Sequence, residues 1–408
     1  MKYTMEALSK GTRGFTTPVS ALASPYAQHF TLAGMVDGVG GQPLLARVVG
    51  PPGAMARLAA HTGATEAALR EELELFGRLQ HFNLVRLVAT CPDPLAAVMV
   101  RAPGGAVTLE ARLLKRAGHP PLTLAERLRA GAEVADALAY LHRFGFTHRG
   151  VSTANVMWTP AQGECVLGEY GFCRAGTPPE LRRQLYPAGG LGYVCPRYTL
   201  DGAVTPATDV YAFGVVLWEL LTGWPALDRK QGGLVQDRVE RLVLPRLAAA
   251  GILPGGLLGL GVPLGQLFDA GGPGAGRDLF SCHVLPAVDA DLRRHRAAPV
   301  CLPALFDLAR LAAMCCDPAP VRRPCMYNGG GGGDTALAQM LACQARLPVY
   351  LDPEAPVYCI VCHVQLVSSR LSPCGHVCVC RDCAASIEFG APCPLCGVAV
   401  EVVQRIFS

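Results

Sequence analysis

The sequence lacks the runs of like charge that mark nucleic-acid or membrane-surface binding. Its 408 residues carry a net charge of only +4 and contain no long basic run, so no nucleic-acid partner is predicted. Residues 1–17 contain no apolar core of signal-peptide length, and we therefore expect a cytoplasmic protein. Hydrophobic residues make up 51% of the chain, which is enough to bury a large core.

A convincing membrane span is also missing. Residues 247–268 are uncharged and long enough to cross a bilayer, but two prolines and six glycines make them a poor spanning helix. We predict no membrane span, and we expect a low-complexity insert over residues 247–277 instead.

The 18 cysteines lack paired spacing over most of the chain, so a disulfide framework is not indicated. In a cytoplasmic protein they are predicted to be buried thiols or metal ligands. Near the end of the chain, seven cysteines and one histidine form four closely spaced pairs. The pairs are Cys359 with Cys362, Cys374 with His376, Cys380 with Cys383, and Cys393 with Cys396. Zinc takes four thiolate or imidazole ligands, so these eight residues predict two Zn2+ ions.

The order of the eight ligands resembles the RING finger, a small cross-brace domain in which two zinc sites interleave along the chain. The resemblance implies a first zinc on Cys359, Cys362, Cys380 and Cys383, and a second on Cys374, His376, Cys393 and Cys396. Cys378 is left over and is predicted to be a packed thiol. Such a short segment cannot build an adequate core without metal, so zinc would supply its folding free energy.

RING fingers are known as ubiquitin ligase modules, which hold a ubiquitin-charged conjugating enzyme in a reactive pose and supply no nucleophile. By this resemblance, the ubiquitin-conjugating enzyme would contact Ile360, Pro394 and Leu395. The alternative is that these side chains only pack around the zinc ions. Gly397 stands where a basic residue often bridges to ubiquitin, and this difference predicts weaker activation.

The end of the chain, residues 397–408, alternates between apolar and polar side chains and predicts a short strand. It resembles the tail of the inhibitor-of-apoptosis type of RING, in which an aromatic residue at the position of Phe407 packs across a homodimer. The alternative is a strand that only closes its own domain.

Two helices are predicted upstream of the zinc ligands. Residues 122–145 have an amphipathic pattern, and Thr123 with Glu126 can form a capping box at its start. Residues 208–223 are apolar on all sides, which is typical of a helix buried at the centre of a domain. Gly223 can end that helix in the left-handed conformation.

With the motif FTHRGVSTANVMW, these helices resemble plant receptor-like kinases and their cytoplasmic relatives over most of the chain before the RING. The resemblance implies an α+β fold, with a bilobal protein-kinase-like domain followed by the small two-zinc RING. It also implies that Asp209 braces the backbone of the catalytic loop around that motif.

Several chemical parts of a kinase are replaced. Phosphoryl transfer needs a glycine-rich loop, a lysine on the phosphates, magnesium on a carboxylate and a base. By the resemblance, the matching positions are Arg47 for the lysine, Glu72 for its partner, Asn155 and Glu169 for the two magnesium ligands, and Gly150 for the base. Residues 19–36 contain no spaced glycines, and Gly150 cannot accept a proton. We therefore predict a pseudokinase with poor binding of ATP and Mg2+.

An ion pair of the kinase family is also lost. Arg197 stands where the family has a glutamate that pairs with an arginine, here Arg323. Two arginines in one buried place would be strongly destabilising. We therefore expect one of the two side chains to be exposed.

These patterns divide the chain into a lead-in at residues 1–20, a kinase-like domain at 21–345, a linker at 346–357 and the RING at 358–408. The predicted function is RING-type ubiquitin ligation, in which the kinase-like domain binds a protein substrate or signalling partner. Two alternatives stay open. One is a non-catalytic pseudokinase scaffold dimerised by its RING, and the other is a kinase with an unusual active site that retains ATP binding.

Overall fold

The structure is a computed structural model of the chain. It describes residues 10, 28–36, 43–48, 79–92, 95–100, 107–114, 118, 120–159, 163–168, 174–175, 190, 192–202, 204–228, 230, 233–249, 284–294, 298–327, 335–345, 359, 361–362, 365, 368–372, 376–393 and 399–405. The chain divides into two compact units. The first comprises Met1–Arg112, Glu133–Ala212 and Met326–Gly331, and the second comprises Leu113–Ala132, Phe213–Cys325 and Gly332–Ser408.

The first unit begins with a four-stranded antiparallel sheet. Its strands are β1 (Gln28–Val36), β2 (Pro43–Val48), β3 (Leu87–Pro92) and β4 (Leu95–Val100), in the order β1-β2-β4-β3. Arg47, the residue at the predicted lysine position, lies on β2, opposite His29 of β1 and Ala97 of β4. The predicted lysine position is therefore on an inner strand of the sheet.

Next along the chain come β5 (Val107–Thr108), the short helix α1 (Leu109–Leu113) and the long helix α2 (Leu124–Arg143). The predicted capping box at the start of α2 is confirmed. Thr123 donates its backbone N–H to the Glu126 carboxylate at 2.7 Å, and the Glu126 N–H is 3.3 Å from the Thr123 hydroxyl. These reciprocal bonds satisfy two N–H groups that a helix end otherwise leaves without a partner.

Short strands frame the predicted catalytic loop in the first unit. They are β6 (Phe146–Thr147), β7 (Val156–Thr159), β8 (Glu164–Leu167) and β9 (Arg174–Ala175). Strand β7 lies between β5 and β8, and β6 pairs with β9. The loop runs from β6 through a 3-10 turn, Thr153–Asn155, into β7. Its two ends are thereby held in separate small sheets.

Helix α3 (Pro196–Asp201) precedes helix α4 (Pro206–Thr222), which has residues in both units. Residues 209–222 of α4 are all buried, as the apolar pattern predicted. Gly223 has a φ of 68° and donates its N–H to Glu219 O at 2.8 Å. The predicted left-handed end of this helix is therefore confirmed.

The second unit is mainly helical before the RING. It contains the hairpin of β10 (Leu227–Asp228) and β11 (Gly233–Leu234), and the helices α5 (Val235–Ala249), α6 (Ala290–Arg294), α7 (Ala298–Cys315) and α8 (Ala336–Ala345). A side chain on Gly214 of α4 would clash with α7, because a β-carbon there would lie 2.7 Å from Cys315 Cβ. Glycine at this position therefore lets α4 and α7 approach closely.

A buried ion pair stabilises the same unit. The Arg127 guanidinium contacts the Asp289 carboxylate at 2.8 Å and also donates to the carbonyl oxygens of Leu122 and Leu220. Arg127 is 1% exposed, so removal from water is costly unless its donors are paired. The three acceptors meet that requirement.

Of the two arginines expected to conflict, Arg323 is buried and Arg197 is exposed. The Arg323 Nε donates to Asp317 O at 2.7 Å. The expectation that one of them would be exposed is therefore confirmed. Burial of both would have placed like charges in a medium of low dielectric constant.

The C-terminal part of the second unit contains β12 (Ser369–Ser372), β13 (His376–Val379), helix α9 (Arg381–Ala385) and β14 (Val402–Arg405). The strand order is β13-β12-β14, with antiparallel pairing throughout. The predicted terminal strand is therefore present as β14, and it pairs within its own domain. The tail residue Phe407 lies outside the described residues.

Of the predicted low-complexity insert and linker, the structure describes only residues 247–249. Helix α5 continues to Ala249, which is three residues into the segment 247–277 that was expected to be an insert, because leucine and alanine favour helix. The rest of that segment and the linker 346–357 lie outside the described residues. None of the described helices combines the length and the apolar character that a membrane span requires.

Candidate functional site

The Asp209 carboxylate holds the backbone of the catalytic loop. Its oxygens accept the backbone N–H groups of His148 and Arg149, each at 2.7 Å, and the ring N–H of His142 at 2.9 Å. Asp209 is 1% exposed, so these donors and the carboxylate satisfy one another away from water. The predicted bracing role of Asp209 is therefore confirmed.

The His148 ring links two parts of the loop. The Gly150 N–H lies 3.1 Å from His148 Nδ1, and His148 Nε2 lies 2.9 Å from the Gly168 carbonyl oxygen. Nδ1 must accept and Nε2 must donate, because their partners are a backbone N–H and a backbone carbonyl. The ring is thus a neutral imidazole with its proton on Nε2.

Gly150 is buried, and both of its backbone polar groups are engaged within the loop. Its carbonyl oxygen accepts the Asn155 side-chain N–H at 2.6 Å, while its own N–H donates to His148. The Asn155 carbonyl oxygen in turn accepts the Gly168 N–H at 2.9 Å. Position 150 therefore contributes only its backbone N–H and carbonyl groups to these bonds, and none of them needs a carboxylate there.

Two tyrosines fix the segment before and within α3 to the catalytic loop. The Tyr193 hydroxyl is 2.9 Å from the Thr153 hydroxyl, and the Tyr198 hydroxyl accepts from Arg149 Nη2 at 2.9 Å. Arg149 has a φ of 64°, which is unusual for a residue other than glycine. This role of the two tyrosines was not predicted from the sequence, because no local pattern of residues indicates it.

The other predicted nucleotide-site residues are described only in part. Arg47 lies on β2, Asn155 faces Gly150, and both Glu72 and Glu169 lie outside the described residues. Asn155 commits its side-chain nitrogen to Gly150, which leaves its side-chain oxygen as the atom that it can offer a cation. The structure thus shows the hydrogen-bonded frame of the loop, with no acidic side chain at position 150.

The second candidate site is a cluster of four cysteines in the RING segment. The structure brings together the sulfur atoms of Cys359, Cys362, Cys380 and Cys383, which all lie within 4.8 Å of one another. Cys362 Sγ and Cys380 Sγ are 3.7 Å apart. Four sulfurs at the corners of a tetrahedron, each about 2.3 Å from a zinc ion, would be about 3.8 Å apart. The donor set and its spacing therefore fit Zn2+.

Local backbone bonds shape each half of the cluster. Cys380 caps helix α9, and its sulfur accepts the Cys383 N–H at 3.4 Å. The Cys359 sulfur accepts the Val361 N–H at 3.4 Å, and the Cys359 N–H donates to Gln365 O at 2.6 Å. A two-residue gap between cysteines thus forms a tight turn that presents both sulfurs to one point and surrounds them with N–H donors.

The four clustered sulfurs can all be thiolates only if a cation lies between them. Burial raises the pKa of the Cys359 thiol, and burial together with the neighbouring Cys380, Cys359 and Cys362 sulfurs raises the pKa of the Cys383 thiol. Thiolates packed this closely repel one another unless a positive charge lies between them. A bound Zn2+ reverses this balance and holds the sulfurs as thiolates.

The second predicted zinc site is described only in part. Cys393 is buried, and His376 contributes its backbone to β13. Cys374 and Cys396 lie outside the described residues, as do Ile360, Pro394 and Leu395, the residues predicted to contact a conjugating enzyme. Cys378 is fully buried on β13 and is not among the four clustered cysteines, which agrees with the packed thiol that was predicted.

Comparison with known proteins identifies both parts of the chain. Residues 54–241 match the family model of protein tyrosine and serine/threonine kinases, and residues 356–403 match that of the C3HC4-type RING zinc finger. The chain thus carries a protein kinase domain followed by a C-terminal RING finger, and the resemblance to these two families that was inferred from the sequence is confirmed.

Three relatives from Arabidopsis thaliana illustrate the similarity. Probable serine/threonine-protein kinase PBL18 is 31% identical over 170 residues, which are 41% of this chain and 43% of that protein. U-box domain-containing protein 33 is 31% identical over 164 residues, covering 39% of this chain and 19% of that protein. Probable serine/threonine-protein kinase PBL3 is 34% identical over 172 residues, 41% of this chain and 40% of that protein. The chain spans less than half the length of these relatives.

Proposed function

We propose that the chain is a RING-type ubiquitin ligase whose kinase-like domain is catalytically degenerate and binds a protein substrate or signalling partner. The observation that carries the proposal is the cluster of four cysteine sulfurs within 4.8 Å of one another, inside a segment that matches the RING family. A RING with its zinc in place can orient a ubiquitin-charged conjugating enzyme without providing a reactive group itself.

In this proposal two Zn2+ ions hold the domain. The second ion would use Cys374, His376, Cys393 and Cys396. Ile360, Pro394 and Leu395 would form the apolar contact with the conjugating enzyme. The similarity to U-box domain-containing protein 33 extends over 164 residues and is much longer than the RING segment, so it includes kinase-like residues. We take the U-box domain in the name of that relative as support for the proposed ligase role.

The geometry of the catalytic loop supports a degenerate kinase domain. General base catalysis contributes about a hundredfold to ten-thousandfold in rate, and Gly150 has no side chain with which to provide it. The buried frame around Asp209 and His148 is intact. A kinase-like domain that retains the hydrogen bonds of its catalytic loop but has no catalytic base can still bind a partner. We therefore assign the substrate-docking role to this domain.

Weak binding of ATP and Mg2+ without turnover is compatible with this role. The Asn155 side-chain nitrogen donates to Gly150, so its oxygen is the atom that would bind a cation. By the resemblance to kinases, Arg47 and Glu169 replace the usual lysine and aspartate. Magnesium tolerates little displacement of its ligands, so we expect only a small increase in melting temperature on addition of ATP and Mg2+. An increase as large as that of an active kinase would contradict the proposed loss of function.

A homodimer mediated by the RING remains part of the proposal. Phe407 would pack across the dimer, while β14 pairs with β12 of its own domain. Light scattering on wild type and Phe407→Ala distinguishes the two roles of the tail. Equal mass for both proteins would mean that the tail only closes its own domain.

Reconstituted ubiquitination tests the ligase function. Purified wild type is incubated with ubiquitin, activating enzyme and a panel of conjugating enzymes, and we expect ubiquitin chains with at least one of them. Cys359→Ala should form none, because it removes one of the clustered sulfurs. The matched control is Cys378→Ala, which removes a buried cysteine outside the cluster and should retain activity. Chains that are absent with wild type, or equal with Cys359→Ala, would refute the proposal.

A further inference from the structure

One aromatic side chain in the RING segment is exposed to an unusual degree. Phe389 is 85% exposed, compared with 49% for Val361 and 51% for Val402, and it is the most exposed large apolar side chain among the described residues of the RING. Phenylalanine is ordinarily buried, and exposure of this much aromatic surface to water is unfavourable. The side chain contributes little to the packing of the RING itself.

The backbone on both sides of Phe389 is held in place. The Ala391 N–H donates to Glu388 O at 3.0 Å, and the Gly390 N–H donates to Val400 O at 2.8 Å. Gly390 has a φ of 82°, a conformation that glycine adopts without strain. An aromatic side chain on a fixed loop loses little conformational entropy when a partner covers it, which favours its use as a binding anchor.

The loop is joined to the segment in which conjugating-enzyme contacts are proposed. Pro392 and Ala399 form an antiparallel bridge, and the Val400 N–H donates to Ala391 O at 2.8 Å. The residues between these paired segments include Pro394 and Leu395. Phe389 precedes Pro394 by five residues, and five residues span at most about 18 Å. A protein interface of ordinary size is roughly 30 Å across, so an interface that includes Pro394 is wide enough to include Phe389 as well.

We propose that Phe389 is a specificity-determining contact for the ubiquitin-conjugating enzyme, and this inference rests on the proposed ligase function. Its ring would enter an apolar pocket on the enzyme. The adjacent Glu388 is also exposed, so the complementary surface combines an apolar pocket with a basic side chain beside it. Conjugating enzymes with these two features would be preferred over those without them.

The test measures binding of the full-length protein to each conjugating enzyme of the panel, and then release of ubiquitin from the charged enzyme to free lysine. Phe389→Ala should weaken binding to the preferred enzyme about tenfold, as is typical when a buried aromatic anchor at an interface is truncated. Release of ubiquitin should fall in proportion at low enzyme concentration. Phe389→Tyr should keep most of the affinity, because it keeps the ring.

The matched control is Val402→Ala, which truncates another exposed apolar side chain of the same domain and should change binding less than twofold. Zinc content equal to that of wild type verifies that each variant is folded. If wild type binds the enzyme and Phe389→Ala binds equally well, the inference is wrong while the ligase function stands. Loss of ubiquitin release with unchanged enzyme binding, or a change only in oligomeric mass, would also refute it. If wild type binds no conjugating enzyme, the proposed function itself fails.

Discussion

In the catalytic loop, the residues that hold the backbone differ from the residue at the predicted base position. In the cysteine cluster, the same residues serve both purposes. In the loop, the Asp209 carboxylate accepts two backbone N–H groups at 2.7 Å and the His148 ring donates to a backbone carbonyl at 2.9 Å. The residue at the predicted base position, Gly150, has no side chain. In the cluster, the cysteines that would bind zinc are also the residues that form the local turns.

Because of this difference, the predicted base position of the loop can be substituted without loss of the fold, whereas a cysteine of the cluster cannot. Glycine can stand at the predicted base position without breaking the bonds that hold the loop, because position 150 contributes only backbone groups to them. A zinc-binding cysteine cannot be replaced in this way, since structural zinc sites contribute folding free energy directly. The comparison predicts opposite outcomes for substitutions in the two regions.

The largest effect is expected in the cluster. Cys380→Ala removes one of four sulfurs and the cap of α9, and structural zinc sites are worth about 10–16 kcal/mol in apparent binding free energy. We expect loss of zinc and loss of hydrogen-exchange protection across β12, β13 and β14, while α4 stays protected. Prolonged chelation of wild type should give the same pattern.

Cys378→Ala is the control for that measurement. It truncates a fully buried cysteine on the adjacent strand and should cost about 1 kcal/mol without loss of zinc. Retention of zinc by Cys380→Ala together with its loss from Cys378→Ala would reverse the assignment of ligand and packed thiol.

The next effect is expected at the brace of the catalytic loop. Asp209→Ala leaves the backbone N–H groups of His148 and Arg149 buried without their acceptor, and we expect a destabilisation of about 3–5 kcal/mol. Hydrogen exchange at these two amides measures it directly. Asp136→Ala is the control, because the Asp136 carboxylate lies 3.3 Å from the His81 ring nitrogen but is half exposed, and loss of this contact should cost less than about 1 kcal/mol.

A smaller effect is expected at the start of α2. Thr123→Ala removes the hydroxyl side of the capping box and should lower the free energy of unfolding by about 1 kcal/mol, measured as a shift in the urea midpoint. Glu126→Gln keeps an acceptor for the Thr123 N–H and should cost less. If Thr123→Ala lowered the free energy of unfolding as much as Asp209→Ala, local capping would contribute as much to stability as the long-range bonds of Asp209.

No gain of phosphoryl transfer is expected from Gly150→Asp. The substitution supplies a carboxylate at the base position, but Arg47 and Glu169 still replace the lysine and aspartate. Incubation with labelled ATP and a general protein substrate should leave phosphate incorporation at the level of the wild type. Incorporation well above that level would show that the base alone was missing, and the kinase alternative would then replace the docking role.

Local patterns were sufficient for much of the fold. The capping box at Thr123, the buried helix α4 and its end at Gly223 follow from residue types at short spacing, and the structure confirms each of them. The brace by Asp209 joins residues about sixty positions apart and was accessible only through the resemblance to kinases. The expectation for Arg197 and Arg323 required a physical argument about buried charge, and the structure showed which of the two is buried.

By itself, the sequence determined the types and spacing of the candidate zinc ligands, the helix that carries a capping box and the glycine at position 150, because each depends on residues close together in the chain. Three features were decided only by the tertiary structure. Tyr193 and Tyr198 bind the residues around the start of α3 to the catalytic loop. Gly214 permits the close approach of α4 and α7, and Phe389 is exposed to solvent. These features depend on contacts between distant residues or on surface exposure, and neither leaves a periodic signal in the sequence.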